Sequence, residues 1–261
     1  MKTNPIKIAL KAGKSLLGTW LQMERNPAIL PLLKSAGIDF VCFEMEHASA
    51  SIETVANMAL LARALDMGFS VRPPLGNREW ITRLLDAGIW GLQIPQVDTP
   101  VIARESVDAA YYTPLGHRGM IGLGPQVDYE PIANTCKQLA YLNDQVHITV
   151  MLESAEAFAN IDAIIAIPGV NAVTLGPNDL AQDLGVLESP DRTEIINNYR
   201  NVLLDAAKRH GKEPLFTVHS LMELKYWKSR GVRLLAYASD TTILYQGFSK
   251  IKKETMEESN Q

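Results

Sequence analysis

Two carboxylates, Glu153 and Asp179, stand where short apolar runs end, in His147-Ile-Thr-Val-Met-Leu-Glu153-Ser and Ala172-Val-Thr-Leu-Gly-Pro-Asn-Asp179-Leu. A carboxylate at the carboxyl end of a buried strand, just ahead of a helix, is where an α/β barrel keeps its chemistry. Two of them on consecutive strands would converge, and paired hard oxygens suit a divalent cation. The competing reading is that each merely opens the helix that follows, since acidic residues favour a first helical turn. The pair alone does not choose between these. Other strand ends carry polar groups too: Glu44, Glu46 and His47 in Cys42-Phe-Glu-Met-Glu-His47, Arg72 in Ser70-Val-Arg-Pro-Pro74, Gln96 after Pro95, then His219 and Asp240. Carboxylates, a histidine and an arginine around one mouth make an active-site composition. Each also has a plainer role: Arg72 as a structural ion-pair partner, His219 as a satisfied strand-end histidine, Asp240 as a helix cap. Glu44 and Glu46 share a face by strand alternation, so one of them is expected to turn to neighbouring backbone or an arginine.

The elements that would position these groups are marked by a recurring joint. A helical pattern ends in Gly, an aliphatic or aromatic residue follows, and a strand begins. It appears at Gly37, Gly68, Gly88, Gly169 and Gly231, with a looser copy at Gly211. Glycine suits the left-handed position just past a helix end. Strands read between the joints fall near 16–22, 39–46, 69–73, 91–95, 148–153, 172–176, 214–218 and 234–238. They are short, apolar on both faces and rich in β-branched residues, as buried parallel strands should be. Asn26-Pro27 and Thr99-Pro100 place Pro at a first helical position, and Ser220-Leu-Met-Glu223 reads as a capping box. Trp80, Ile81, Leu84 and Leu85 make an apolar stripe at helical spacing, read as core. Eight strands alternating with helices predict a (β/α)8 TIM barrel. A doubly wound open sheet is the alternative, but Thr19-Trp20-Leu-Gln-Met stands where a Gly-rich phosphate loop would follow the first strand. Residues 111–146, with Gly116-His-Arg-Gly119 and Gly122-Leu-Gly124, form a long excursion, and such loops are often functional.

The 261 residues are expected to form a single barrel domain over 1–261, with a carboxy-terminal helix and tail from about residue 241. A net charge of −4 gives no basic footprint for nucleic acid. Cys42 and Cys136 make no disulfide framework, and Cys42 reads as a small core residue. No signal-peptide h-region and no membrane-length apolar run are seen, so a soluble, cytoplasmic protein is expected. Lys250, Lys252 and Lys253 are followed by Glu254, Glu257 and Glu258 and read as a solvated tail. Ile243, Leu244, Phe248 and Ile251 give the last helix an apolar face that needs something to cover it, and packing against a neighbouring subunit is expected.

Six blocks in order resemble the HpcH/HpaI family of metal-dependent pyruvate aldolases, within the phosphoenolpyruvate/pyruvate barrel superfamily. They are Gly18-Thr-Trp20, Glu44-Met-Glu-His47, Val71-Arg72-Pro73, Gly116-His-Arg118-Gly119, Leu152-Glu153-Ser154, and Pro168-Gly-Val followed by Leu175-Gly-Pro-Asn-Asp179-Leu180. The resemblance spans about residues 16 to 245. It implies that Glu153 and Asp179 ligate a divalent metal, Mg²⁺ first and Mn²⁺ or Co²⁺ as alternatives. It implies that Arg72 holds the pyruvate oxygens, that His47 is the acid/base, that Gly176 and Pro177 line the pyruvate pocket, and that Arg118 lies on a loop near the substrate. It also implies a homo-oligomer, hexamer or trimer. Three positions depart from the family pattern. Glu44 replaces an Asp that orients the catalytic His, Met151 replaces a pocket Gln, and Ala238 replaces a Gly.

The function this implies is cleavage or formation of 4-hydroxy-2-oxo acids through a pyruvate enolate, with a 2-oxo acid and an aldehyde or other carbonyl as small-molecule partners. Two protein carboxylates leave an octahedral cation positions for a chelating 2-oxo acid. Arg72 would help stabilise the enolate, His47 would move the proton, and Glu44 would orient the imidazole. A Schiff-base aldolase needs a strand-end lysine inside the barrel, and no predicted strand has one. Citrate-synthase-like condensation of oxaloacetate with an acetyl-thioester remains the nearest alternative. A two-carboxylate glycoside hydrolase would need sugar-stacking aromatics that the strand ends lack. A non-catalytic metal-binding barrel would not require Glu153, Asp179, His47 and Arg72 together.

Overall fold

The computed structural model describes residues 1–131 and 136–256. Eight strands close into a barrel in sequence order: β1 (Leu16–Leu21), β2 (Phe40–Glu44), β3 (Gly68–Arg72), β4 (Gly91–Ile94), β5 (His147–Leu152), β6 (Val170–Leu175), β7 (Glu213–Val218) and β8 (Leu234–Ser239). Every neighbouring pair is parallel, including β8 against β1. Each predicted strand is present within two residues of its expected limits. The helices are α1 (Pro5–Lys11), α2 (Ile29–Ser35), α3 (Ile52–Ala64), α4 (Arg78–Asp86), α5 (Pro100–Ala110), α6 (Cys136–Gln145), α7 (Ala155–Ala159), α8 (Ile161–Ile165), α9 (Pro177–Asp183), α10 (Arg192–His210), α11 (Leu221–Ser229) and α12 (Asp240–Met256), with one 3₁₀ turn at Pro125–Val127.

Alternation along each strand divides its side chains between two cores. On β2, Val41 and Phe43 face the helices and join one large cluster, while Phe40 and Cys42 face the barrel interior with Leu16, Ala172, Leu215 and Ala236. Burial on both faces is what the near-continuous apolar runs required. Close packing inside demands glycine at two strand positions. A Cβ on Gly18 would sit 2.4 Å from the Phe40 ring, and one on Gly68 would sit 2.6 Å from Ile6 Cγ1. Ile6 belongs to α1, which closes the barrel at the amino ends of the strands.

Three local expectations change. At the joint before β3, Asp66 takes the left-handed conformation (φ 47°) and Gly68 does not; Gly68 is there for space beside Ile6 and Phe40. Pro27 precedes rather than opens α2: Asn26 Oδ1 accepts from Ala28 N, and the helix starts at Ile29. The excursion over 111–146, described apart from residues 132–135, does not reach the mouth. Its Asp128 binds Arg63 at the end of α3 and the Lys2 backbone, and its Arg118 binds Asp86 at the end of α4. Helices return toward the amino ends of the strands, so the excursion seals the base. The Thr99-Pro100 start and the apolar stripe on α4 are found as expected. Glu257 and Glu258 of the expected tail lie outside the described residues. No helix of the described residues is long and apolar enough to cross a membrane.

Candidate active site

The carboxyl ends of the strands surround a cavity of about 400 Å³. Into it, or directly beneath its wall, the fold brings most of the expected residues: Glu44, His47, Arg72, Met151, Gly176, Pro177 and Asp179 all line it. Register explains the first contact. Glu44 and Arg72 are direct neighbours on β2 and β3, so both side chains point inward at the same height. Arg72 Nε donates to Glu44 Oε2 at 2.7 Å, and Nη2 binds the same oxygen. The other oxygen, Glu44 Oε1, accepts the backbone N–H of Glu46 at 2.6 Å and of His47 at 3.1 Å.

Glu44 therefore does not orient the His47 imidazole, contrary to expectation. Its longer chain turns back to bind the loop backbone and the guanidinium. The carboxylate nearest the ring is Glu46, whose Oε2 lies 3.8 Å from His47 Nε2 and 3.3 Å from Arg72 Nε. Gln96 Nε2 reaches Glu46 Oε1 at 3.3 Å. Burial raises the Glu46 pKa, against the opposing pull of Arg72 and His47. The imidazole itself is 62% exposed and stands at the rim.

Glu153 follows the last residue of β5. Its Oε2 accepts from Gln96 N at 2.9 Å, while Oε1 is buried with no hydrogen-bond partner. Burial pushes this carboxyl up to about 7, with Arg72 pulling down and Asp179 and Glu46 adding to the rise. Gly176, at the end of β6, lies so close that a Cβ there would come within 2.3 Å of Glu153 Oε1. Pro177 then opens α9, and Asp179 occupies its first turn. A buried carboxylate oxygen without a proton donor, beside a second carboxylate, is a donor set for a hard cation. Glu44, Glu46, Glu153 and Asp179 against Arg72 also leave the mouth with excess negative charge that a divalent ion would offset. Among the described residues no three His, Cys, Asp or Glu side chains converge on one point, so two protein ligands would leave positions for water and substrate.

Other placements differ from expectation. Arg118 is remote from the cavity: buried at the base, it binds Asp86 at 2.6 Å and lies 5.0 Å from the Tyr112 ring centroid. Its block of sequence belongs to the excursion, which the connection after α5 carries to the far end of the barrel. Asp240 is an anchor. Its carboxylate accepts the backbone N–H groups of Gln22, Met23, Glu24 and Thr241. His219 stands at the cavity rim, and the Glu223 carboxylate takes its backbone N–H, one residue upstream of a standard capping box. No lysine lines the cavity among the described residues.

Of Glu44 and Glu46, one was expected to turn to backbone or an arginine, and Glu44 does; the place of Glu46 beside His47 and of Gln96 beside Glu153 was not foreseen, although both stand at strand ends. Alternation from Glu44 was the available signal for Glu46. Gln96 adopts φ 54°, a conformation costly for a residue with a Cβ, and so aims its N–H at Glu153. Nothing local in Pro95-Gln96 announces that. Trp20, whose Nε1 donates to Thr217 Oγ1 at 2.9 Å, also faces the cavity, 5.3 Å from the Arg72 guanidinium.

Comparison with known proteins places this architecture in context. The family model described as HpcH/HpaI aldolase/citrate lyase matches residues 17–244. The 4-hydroxy-2-oxo-heptane-1,7-dioate aldolase of Salmonella heidelberg (strain SL476) is 31% identical over 245 residues, covering 94% of this chain and 91% of that one. The solved HpcH/HpaI aldolase from Desulfitobacterium hafniense DCB-2 superposes with a TM-score of 0.88 at 31% identity, over 95% of this chain and 96% of that one. A family protein from Burkholderia cenocepacia J2315 gives 0.84 at 27% identity, over 97% and 99%.

Proposed function

The chain belongs to the HpcH/HpaI aldolase/citrate lyase family and is an enzyme of the aldolase/lyase kind, and on that footing we propose that its barrel mouth cleaves or forms 4-hydroxy-2-oxo acids through the enolate of pyruvate. The observation that carries this reading is Glu153: a buried carboxylate with one oxygen lacking any donor, near Asp179 and the Arg72 guanidinium. The family is metal-dependent. Glu153 and Asp179 would hold the ion, with Mg²⁺ the first candidate for two hard oxygen ligands and Mn²⁺ or Co²⁺ next. A bound cation would supply Lewis acidity toward the 2-oxo acid oxygens.

The chain's own residues supply the rest. Arg72 is fixed in direction by Glu44 and Glu46, while its Nη1 points to Met151 Sδ at 3.6 Å. That nitrogen is the one turned to the substrate, where it would hold the developing enolate oxygen. Met151 offers no strong hydrogen bond, so a 2-oxo acid would meet a soft apolar wall there and take its donors from Arg72 and the backbone around Gly176 and Pro177. In cleavage, His47 would take the proton from the 4-hydroxyl. The C3–C4 bond breaks, its electron pair forms the enolate, and the aldehyde leaves. Protonation at C3 then gives pyruvate. Glu46, nearest the ring, would stabilise the imidazolium, and Glu44 would hold the loop on which both sit.

The same reading takes the barrel and α12 as one unit over residues 1–261, working in the cytoplasm on small molecules. It includes a homo-oligomer, trimer or hexamer, assembled through the apolar face of α12, none of whose residues is buried in its own chain.

The test is exchange of pyruvate methyl protons in deuterated buffer, followed by NMR. Exchange is expected with Mg²⁺ or Mn²⁺, is lost with chelator, and falls by about a hundredfold or more in Glu153→Ala. Absence of exchange with every metal would remove pyruvate as the nucleophile, and oxaloacetate with acetyl-thioesters becomes the reaction to assay.

A further inference from the structure

We propose that the base of the barrel holds one ordered water molecule in a built site, and that this water fixes the excursion over 111–146 to the strands. A second cavity, of about 20 Å³, lies at the base between Trp90, which directly precedes β4, and the excursion residues Arg118 and Gln126. Every residue lining it is buried. About 10–15 Å³ is enough for one water, so the space suits a single water and is too small for an organic ligand.

Three polar atoms of the lining residues have no hydrogen-bond partner: Trp90 Nε1, Arg118 Nε and Gln126 Oε1. The groups around them are engaged. Arg118 Nη2 donates to Asp86 Oδ1 at 2.6 Å. Arg63 donates through Nε to Asp128 Oδ1 at 2.7 Å and through Nη1 to the Gly88 carbonyl, and its guanidinium lies 3.9 Å from the Trp90 ring centroid. Gln145 Nε2 donates to the Tyr141 carbonyl, and its Oε1 accepts from Asn4 N. The sense of the Gln126 amide is fixed, because Nε2 donates to the Ile121 carbonyl at 3.2 Å and a carbonyl can only accept. Its oxygen is the atom left over. Gly124 makes room for that oxygen, since a Cβ there would come within 2.4 Å of it.

Two donors and one acceptor are what one water serves. It accepts from the indole and the guanidinium and donates to the amide oxygen, three bonds in all, the usual number for a buried water. A small anion fits less well. It would accept from Trp90 and Arg118 but would also face the Gln126 oxygen. Arg63 and Arg118 already have carboxylates, Asp128 and Asp86, so no uncompensated positive charge is left to hold an anion. The water ties one residue of the barrel to two separate turns of the excursion, one in Gly116-His-Arg118-Gly119 and one just after Gly122-Leu-Gly124. These two motifs have no part in the mouth, and this site gives them one at the base, whatever reaction the mouth performs.

High-resolution diffraction from crystals of the full-length protein is expected to show a single peak within hydrogen-bonding distance of all three atoms, with no anomalous signal there after a bromide soak. No peak, or a bromide peak, overturns the site. Hydrogen–deuterium exchange followed by mass spectrometry tests what the water does. Trp90→Phe removes one donor and keeps an aromatic ring beside Arg63; Gln126→Leu removes the acceptor. Each should speed exchange in peptides from the excursion and α6 by ~10-fold or more, while peptides from β1, β7 and β8 keep wild-type rates. Because both act through one water, the double variant should exchange no faster than the faster single one. Unchanged exchange in both single variants, acceleration spread over the whole chain, or effects that multiply in the double variant would each overturn the role of the water.

Discussion

At Gly176 a side chain as small as alanine would place its Cβ 2.3 Å from Glu153 Oε1, so the backbone there is shaped to the carboxylate. Gly176→Ala must push Glu153 aside or shift β6. It is expected to cost about 1–3 kcal/mol of stability and to weaken Mn²⁺ binding by ~10-fold or more, read by thermal melting and calorimetric titration. The Glu153 carboxyl gives a second prediction, with its sign set by burial. Its folded pKa is raised to about 7 from an ordinary 4.5. Without metal, the stability this protonation lends is complete below 4.5 and is lost as pH rises through 7. Metal must displace that proton, so affinity should fall by up to about tenfold per pH unit below the folded value. Proton release on Mn²⁺ binding, measured calorimetrically in buffers of different ionisation enthalpy, should be near one at pH 6 and small at pH 8. Equal affinity at both values would exclude Glu153 as a ligand.

Among the elements, the joint between β1 and α12 depends on one side chain. Asp240 accepts four backbone N–H groups, three of them from the loop after β1. Asp240→Ala leaves those donors to water and frees a loop that carries part of the cavity wall. A loss of about 2 kcal/mol is expected, a fall in Tm of roughly 4–8 °C for a chain this long. Asp240→Asn should restore part of it, since an amide oxygen still accepts. The plain role foreseen for this residue as a cap was right in kind. Its partners were beyond sequence reasoning because they lie more than two hundred residues away, across the closure of the barrel.

Over the whole molecule, the outstanding feature is α12. It runs from Asp240 to Met256 with Ile243, Leu244, Phe248 and Ile251 all exposed, Phe248 at 70%. A helix this long gains little stability alone and is ordered mainly by covering its apolar face. Phe248→Glu with Ile251→Glu should convert a higher assembly to smaller species in sedimentation velocity; an unchanged mass would place the subunit contact elsewhere. Composition and periodicity determined the class of this protein. Eight buried strands, helix ends marked by glycine, and carboxylates at the strand termini allow few architectures, because hydrophobic burial acts on runs of residues and each run is local. Glu153, Asp179 and Arg72 were legible at strand ends for that reason, while Met151 was marked only by the family resemblance. Which groups touch was left to the tertiary structure. Glu44 turned to Arg72 because β2 and β3 set them side by side; Glu46 took the place beside His47; Gln96 bent into a strained backbone to serve Glu153; and Arg118 went to the base with its excursion. Those outcomes depend on strand register and on the face to which a connection returns. Both follow from how distant segments close around one core, which no single stretch of chain contains.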